Sequence, residues 1–316
     1  MSVPALPGQL PDRLTLTAFG GVVLLAGGNV VAVKLSNESL PPFFGAGFRF
    51  GLAAVVLLAV VALRRIPLPK GQALLGTALY GMTGFAAAFA FGYWALQELP
   101  AAIAGVMMAA IPLLTLFLAR LQRLEPLHWR GVAGGVIAVA GIAVLLSTPV
   151  SVTVPIGPAL AMMGAVVSLA EAGIIVKKYP PSHPVATNGL AMALGGVVLL
   201  VLSRIANETW SIPNETTSWL VIAYLVLLGS VGVFGLYVFV LKRWTATGAS
   251  YEFVLIPVVA ILLAVWLLDE PVDATLILGG AVVLAGVYLG ALSLPKRECP
   301  PEELDGEILA RRCATT

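Results

Sequence analysis

Charge is scarce in this chain. Only 11% of its 316 residues are Asp, Glu, Lys or Arg, while 59% are hydrophobic; a soluble domain carries roughly 25% charged residues. With a mean hydropathy of +0.99, an ordinary soluble globular protein is excluded. Histidine and cysteine are rarer still, at two each. His128 and His183 fall in different loops without ligand-type neighbours, and Cys299 and Cys313 sit in the polar C-terminal stretch. These residues build no disulfide framework, no metal site and no cofactor pattern. No nucleotide-binding motif is present, and no Gly-rich stretch has the form of a phosphate loop. The net charge of +2 makes no case for nucleic acid, because the basic residues gather at the ends of apolar runs. Residues 1–12 lack the basic region and cleavage site of a signal peptide, so the first apolar run is expected to persist in the mature protein.

What is present is long apolar sequence. About 20 such residues cross the hydrocarbon core as a helix, and only helices or closed barrels satisfy their backbone there. Runs of this length exclude a barrel. The chain reads as an all-α integral membrane protein whose lasting partner is the lipid bilayer. Breaks at Pro, Gly and charge predict ten spans, near 14–34, 43–63, 72–96, 100–120, 130–147, 157–177, 184–203, 218–241, 246–267 and 274–293.

The chain also repeats itself. Shifted by 145 residues, 101–141 falls on 246–286 without a gap, and twelve of the 41 positions are identical. The rarer residues decide the match: Ile111-Pro112 on Ile256-Pro257, Glu125-Pro126 on Glu270-Pro271, Gly134-Gly135 on Gly279-Gly280, Gly141 on Gly286. A second match, offset by 144, puts 20–34 on 164–178 and ends with Lys34 on Lys178. Two five-helix units follow, 1–148 and 149–295, with 296–316 as a disordered cytoplasmic tail. An odd number of helices per unit turns the second copy upside down. With both termini cytoplasmic, 15 of the 18 Lys and Arg lie in inner loops or tails, the exceptions being Lys34, Arg49 and Arg204. That bias predicts an N-in, C-in topology.

Ten helices in a tandem five-helix repeat resemble the drug/metabolite transporter superfamily, in its EamA-type branch. The resemblance rests on Gly28-Asn29-Val30-Val31-Ala32-Val33-Lys34, Arg49-Phe50, Pro112, and Glu125-Pro126 followed by Trp129 and Gly131. Pro257 and Glu270-Pro271 repeat part of it. It covers residues 14–293. The family often has Trp-Gly before the first-helix Asn, where this chain has Gly27-Gly28. The resemblance implies transport of a small organic solute, in many members export of amino acids or related metabolites, across the cell's inner (plasma) membrane.

Within that frame, Glu171 and Glu252 are the sharpest candidates, each an acid inside an apolar span. A charge at mid-membrane costs roughly 2.5–3.5 kcal/mol on insertion scales, so such a residue faces a cavity or a partner. They can bind an ammonium group or carry protons; the alternative is an acid at the inner rim paired with Lys or Arg. Arg49 lies about eight residues into its helix, where it can bind a carboxylate or serve structurally. Asn29 can hydrogen-bond across a helix interface. Tyr93, Met107 and Tyr251, with Tyr80, Trp94, Met108 and Tyr237, are candidates for an aromatic and thioether wall around substrate. Pro112 and Pro257 are expected to kink their helices. Lys34 reads as an interfacial anchor, and Glu125 and Glu270 as acids favoured at helix starts.

The reading is therefore a secondary transporter of a small molecule working by alternating access, as a facilitator or with proton coupling, a monomer or a homodimer. The alternative is a membrane-embedded enzyme or sensor. No clustered nucleophile and base supports an enzyme, and no filter-like loop supports a channel.

Overall fold

The computed structural model describes residues 12–122, 129–146, 155–210, 213–243 and 252–289. Glu125, Pro126, Tyr251, both cysteines and the tail lie outside them. Among the described residues all the regular secondary structure is helical. We number the helices α1 (Arg13–Ser39), α2 (Pro42–Leu63), α3 (Gln72–Ala95), α4 (Ala101–Leu121), α5 (Trp129–Leu146), α6 (Ile156–Lys178), α7 (Pro184–Ile205), α8 (Thr216–Ala223, Tyr224–Gly232 and Val233–Arg243 in succession), α9 (Glu252–Leu268) and α10 (Ala274–Val287). Seven, α1 to α4 and α6 to α8, are long and apolar enough to cross a membrane, and three shorter apolar helices accompany them. Large apolar side chains stand exposed on most of them, among them Leu24, Val55, Leu160, Val197, Leu262 and Trp266. An outer surface of that kind suits lipid, not water.

Starts and stops follow ordinary chemistry. Pro42 and Pro184 occupy first-turn positions of α2 and α7, where a missing N–H costs nothing. Asp273 caps α10 by accepting from the Leu276 N–H at 2.7 Å. The two prolines expected to kink differ. The α4 path breaks at Ala109-Ala110, and Pro112 sits in the first turn of the segment that resumes at Ile111. Pro257 stays inside the continuous helix α9.

The helices pack mainly as α2 on α7, α5 on α10, α1 on α9 and α8, α3 on α6 and α7, and α4 on α6 and α9. Exchanging each helix for the one five places along leaves most of this set unchanged. Glycine makes the closest crossings possible. A Cβ on Gly47 would lie 3.1 Å from the Gly196 carbonyl, and one on Gly196 3.1 Å from the Gly51 nitrogen. α5 and α10 meet in the same way through Gly141 and Gly286, so small residues let backbones touch where apolar side chains gain little from leaving lipid.

At one end of the bundle two carboxylates reach across the chain to helix starts. Glu208, just after α7, accepts from the Phe43 and Phe44 N–H groups at 3.1 and 2.8 Å. Glu270, just after α9, accepts from Ala101 and Ala102 at 2.8 and 3.0 Å. Each follows a residue with positive φ, Asn207 at 55° and Asp269 at 51°, which turns the chain sharply out of its helix. Glu270 therefore sits at a helix start as expected, but at that of α4 and not of the helix that follows it. Lys34 completes this junction, 2.8 Å from Glu270 and 3.3 Å from the Leu99 carbonyl; it is an ion-pair partner in addition to any anchoring role.

Candidate functional site

α1 and α8 come close because two glycines give way. Gly28 leaves room for the Tyr224 hydroxyl, and Gly229 for the Asn29 amide. Gly27 faces α9, where a Cβ would fall 2.6 Å from Val259, so a tryptophan would not fit there without a shift of α9. Tyr224 donates to the Leu25 carbonyl at 2.9 Å and Asn29 Nδ2 to the Gly229 carbonyl at 2.9 Å.

Both α3 and α8 widen into π-helical turns at this level, Gly81–Ala87 and Tyr224–Gly232. Such turns cluster at functional sites because they free backbone groups and re-aim side chains. In the second, the Ser230 hydroxyl donates back to the Leu225 carbonyl at 2.9 Å.

Arg49 meets this widened turn. Its Nε donates to Ser230 Oγ at 3.0 Å and one Nη to the Gly229 carbonyl at 3.1 Å. Longer contacts reach Tyr93 Oη at 3.4 Å and Asn29 Oδ1 at 3.5 Å. The guanidinium lies over the rings of Phe50 and Phe89, 5.0 and 5.5 Å from their centroids, and only 3% of the residue is exposed. Three residues singled out in the sequence, Asn29, Arg49 and Tyr93, thus share one cluster. Ser230 and Tyr224 complete it and were not foreseen; the signal for Ser230 was a lone hydroxyl between Gly229 and Gly232. Aromatic rings continue along α3, Phe85 touching Phe50, Phe89, Tyr80 and Phe234.

The other candidates scatter. Glu171 is half-buried and accepts from Gln122 at 2.8 Å through both oxygens, so α4 and α6 are stitched together there by an amide, where the alternative reading had Lys or Arg. Glu252 is 6% exposed and makes no hydrogen bond or ion pair with any described residue. Tyr237 lies within electrostatic range of both Glu252 and Tyr80, and the Tyr80 hydroxyl donates to Asn188 at 3.2 Å. Glu171 and Glu252 share no contact of this kind. Met107 is fully buried in the apolar core, whereas Trp94 is exposed.

Comparison with known proteins agrees with this architecture. The model of the EamA-like transporter family matches twice, over residues 14–147 and 157–291. An uncharacterised inner membrane transporter of Escherichia coli, YedA, is 31% identical over 287 residues, covering 89% of this chain and 92% of its own. A second Escherichia coli relative, named a probable amino-acid metabolite efflux pump, is 28% identical, covering 88% of this chain and 94% of its own. One solved crystal structure superimposes with a TM-score of 0.62 at 19% identity, over 90% of this chain and 99% of that one; this likeness concerns the fold. The two matched segments span nearly all the described helices. The chain belongs to the EamA-like transporter family of the drug/metabolite transporter superfamily, and is a multi-pass membrane transporter.

Proposed function

We propose that this protein is a secondary transporter that exports a small organic metabolite, such as an amino acid or analogue, across the inner membrane. In this reading residues 1–148 and 149–295 are two inverted five-helix halves. Ten spans have both termini cytoplasmic, and rocking of the halves opens the site to each side in turn, in a monomer or a homodimer. The relative named as an amino-acid metabolite efflux pump supports the substrate class, and the basic residues of the loops support the orientation.

One observation carries the proposal. The buried polar cluster is built from both halves: Asn29, Arg49 and Tyr93 from the first, Gly229 and Ser230 from the second. A seam of that kind between two matched units is where an alternating-access transporter holds its solute. A cell-based test compares overexpressing and deletion cells for release of amino acids and analogues into the medium. Overexpression is expected to raise release of a small set of solutes, and deletion to lower it; unchanged profiles in both strains contradict the proposal.

The two acids separate under this reading. A carboxylate without a partner needs either a proton or a cation beside it, and among the described residues Glu252 has none while Glu171 is hydrogen-bonded. Glu252→Gln is expected to remove any dependence of transport on an imposed pH gradient. Glu171→Gln keeps an amide able to meet Gln122 and is expected to change rates less than about threefold, the scale of a weak polar contact. Proteoliposome rates with and without the gradient check both.

A further inference from the structure

We infer that Arg49 is the anchor for a substrate carboxylate, so that the solutes carried are those with a free carboxylate group. The inference deepens the transporter reading and rests on it. Arg49 lies seven residues beyond Pro42, about 10 Å along α2 at a rise of 1.5 Å per residue. At that depth a charge is costly and calls for an opposite charge or backbone carbonyls beside it. The described residues supply one backbone carbonyl, that of Gly229, and no acid; the one ion pair among them is Lys34–Glu270. Every partner of Arg49 is neutral, two hydroxyls, an amide oxygen, a backbone carbonyl and two ring faces.

Those partners fall into two kinds. Ser230 and the Gly229 carbonyl hold the guanidinium at ordinary distances, 3.0 and 3.1 Å. Tyr93 and Asn29, on the two terminal nitrogens, stand at 3.4 and 3.5 Å, the far limit of a hydrogen bond. The terminal nitrogens form the edge that a carboxylate grips with two parallel bonds of about 2.7–2.9 Å. An incoming carboxylate exchanges two long neutral contacts for two short charged ones and neutralises the buried cation. The hydroxyl and amide it displaces remain beside it to bind its outer lone pairs. Phe50 and Phe89 lie against the guanidinium, which is only 3% exposed, and such low-dielectric surroundings strengthen the pairing. Because the remaining bonds of Arg49 end on the π-helical turn of α8, the charge that reads the solute also touches the other half of the molecule.

The test uses the full-length protein in lipid nanodiscs and needs no knowledge of the natural solute. Amino acids are compared with the matching amino-acid amides, which keep the ammonium and side chain but lack the carboxylate; 2-oxo acids supply carboxylates without the ammonium. Binding is read as a rise in unfolding temperature, expected to reach about 5–10 °C at about 100 times the dissociation constant. Acids are expected to bind at least about tenfold more tightly than their amides. Arg49→Lys keeps the charge without the fork and should retain a weaker preference; Arg49→Gln should erase it. Tyr93→Phe, which removes one hydroxyl beside the carboxylate but keeps the guanidinium, should weaken acid binding and retain a reduced preference. The inference is overturned if wild-type protein binds amides as tightly as acids, or if Arg49→Gln keeps the preference. Protein stabilised by no member of the panel overturns it as well, while export of other solutes would leave the transporter reading standing. The wild-type comparison stands alone should Arg49→Gln fail to fold.

Discussion

Replacing Gly286 by leucine is expected to abolish recovery of folded protein, while Gly51→Ala leaves it unchanged. α5 and α10 cross with their backbones almost in contact. A Cβ on Gly286 would lie 2.6 Å from both the Ala138 nitrogen and the Gly134 carbonyl, and one on Gly141 2.7 Å from the Val283 nitrogen. The obstacle is the main chain of another helix, which cannot rotate aside as a side chain can. Gly286→Ala alone should cost about 1–3 kcal/mol, the usual scale of overpacking, and leucine forces the helices apart along their whole contact. Against a total stability of about 5–15 kcal/mol, that loss is not tolerable. Gly51 offers the control, since a Cβ there would meet nothing within 4 Å, and the change should stay within about 0.5 kcal/mol. Monodisperse yield on size exclusion, with unfolding temperature for the alanine variants, measures both. A monodisperse Gly286→Leu protein of wild-type heat stability would contradict this crossing.

Glu270→Ala is expected to lower stability by about 2–4 kcal/mol, because one carboxylate serves three donors. It takes two backbone N–H groups of α4 and the Lys34 ammonium, and its side chain is only 10% exposed. Loss of an acid from a helix start costs about 0.5–2 kcal/mol, and hydrogen bonds to a charged group are worth about 1.5–3 kcal/mol. At about 2–4 °C per kcal/mol for a chain of more than 150 residues, unfolding should come about 5–15 °C earlier. Glu270→Gln keeps an acceptor for α4 and should lose about half as much. Lys34→Met, whose side chain is 24% exposed, should cost about 1 kcal/mol and clearly less in the Glu270→Ala background, where only the long contact to the Leu99 carbonyl is left to lose. Thermal unfolding of the four proteins closes this cycle; additive losses would mean that Lys34 and Glu270 act independently.

These two predictions differ in how far the sequence foretold them. The Gly141 and Gly286 match was visible in the repeat, since the same crossing needs a small residue in each copy. Apolar runs with breaks at Pro, Gly and charge likewise located the described helices to within a few residues. Lys34 and Glu270 were also marked by the repeat, but only one at a time. Their pairing spans 236 residues, and no local pattern records which helix start a loop acid will reach. Arg49, Asn29 and Tyr93 stood out as polar residues in apolar surroundings, and their convergence depends on the crossing of α1, α2, α3 and α8. The π-helical turns left no hydrophobic signature, because a bonding shift from the fourth to the fifth residue changes no residue type. A hint survives in glycine spacing: Gly81 and Gly84 fall in one turn, Gly229 and Gly232 in the other.

The central claim is that a solute passes through a site shared by two halves that open in turn. Counterflow tests it most directly. Proteoliposomes holding the purified protein and a concentrated mixture of unlabelled amino acids are diluted into a trace of labelled ones. A carrier that alternates must exchange one for the other, so label is expected to accumulate transiently above its equilibrium level, and Arg49→Gln to abolish that overshoot. Label that never exceeds the level in protein-free liposomes, for any amino acid or analogue and under any imposed gradient, would contradict the account.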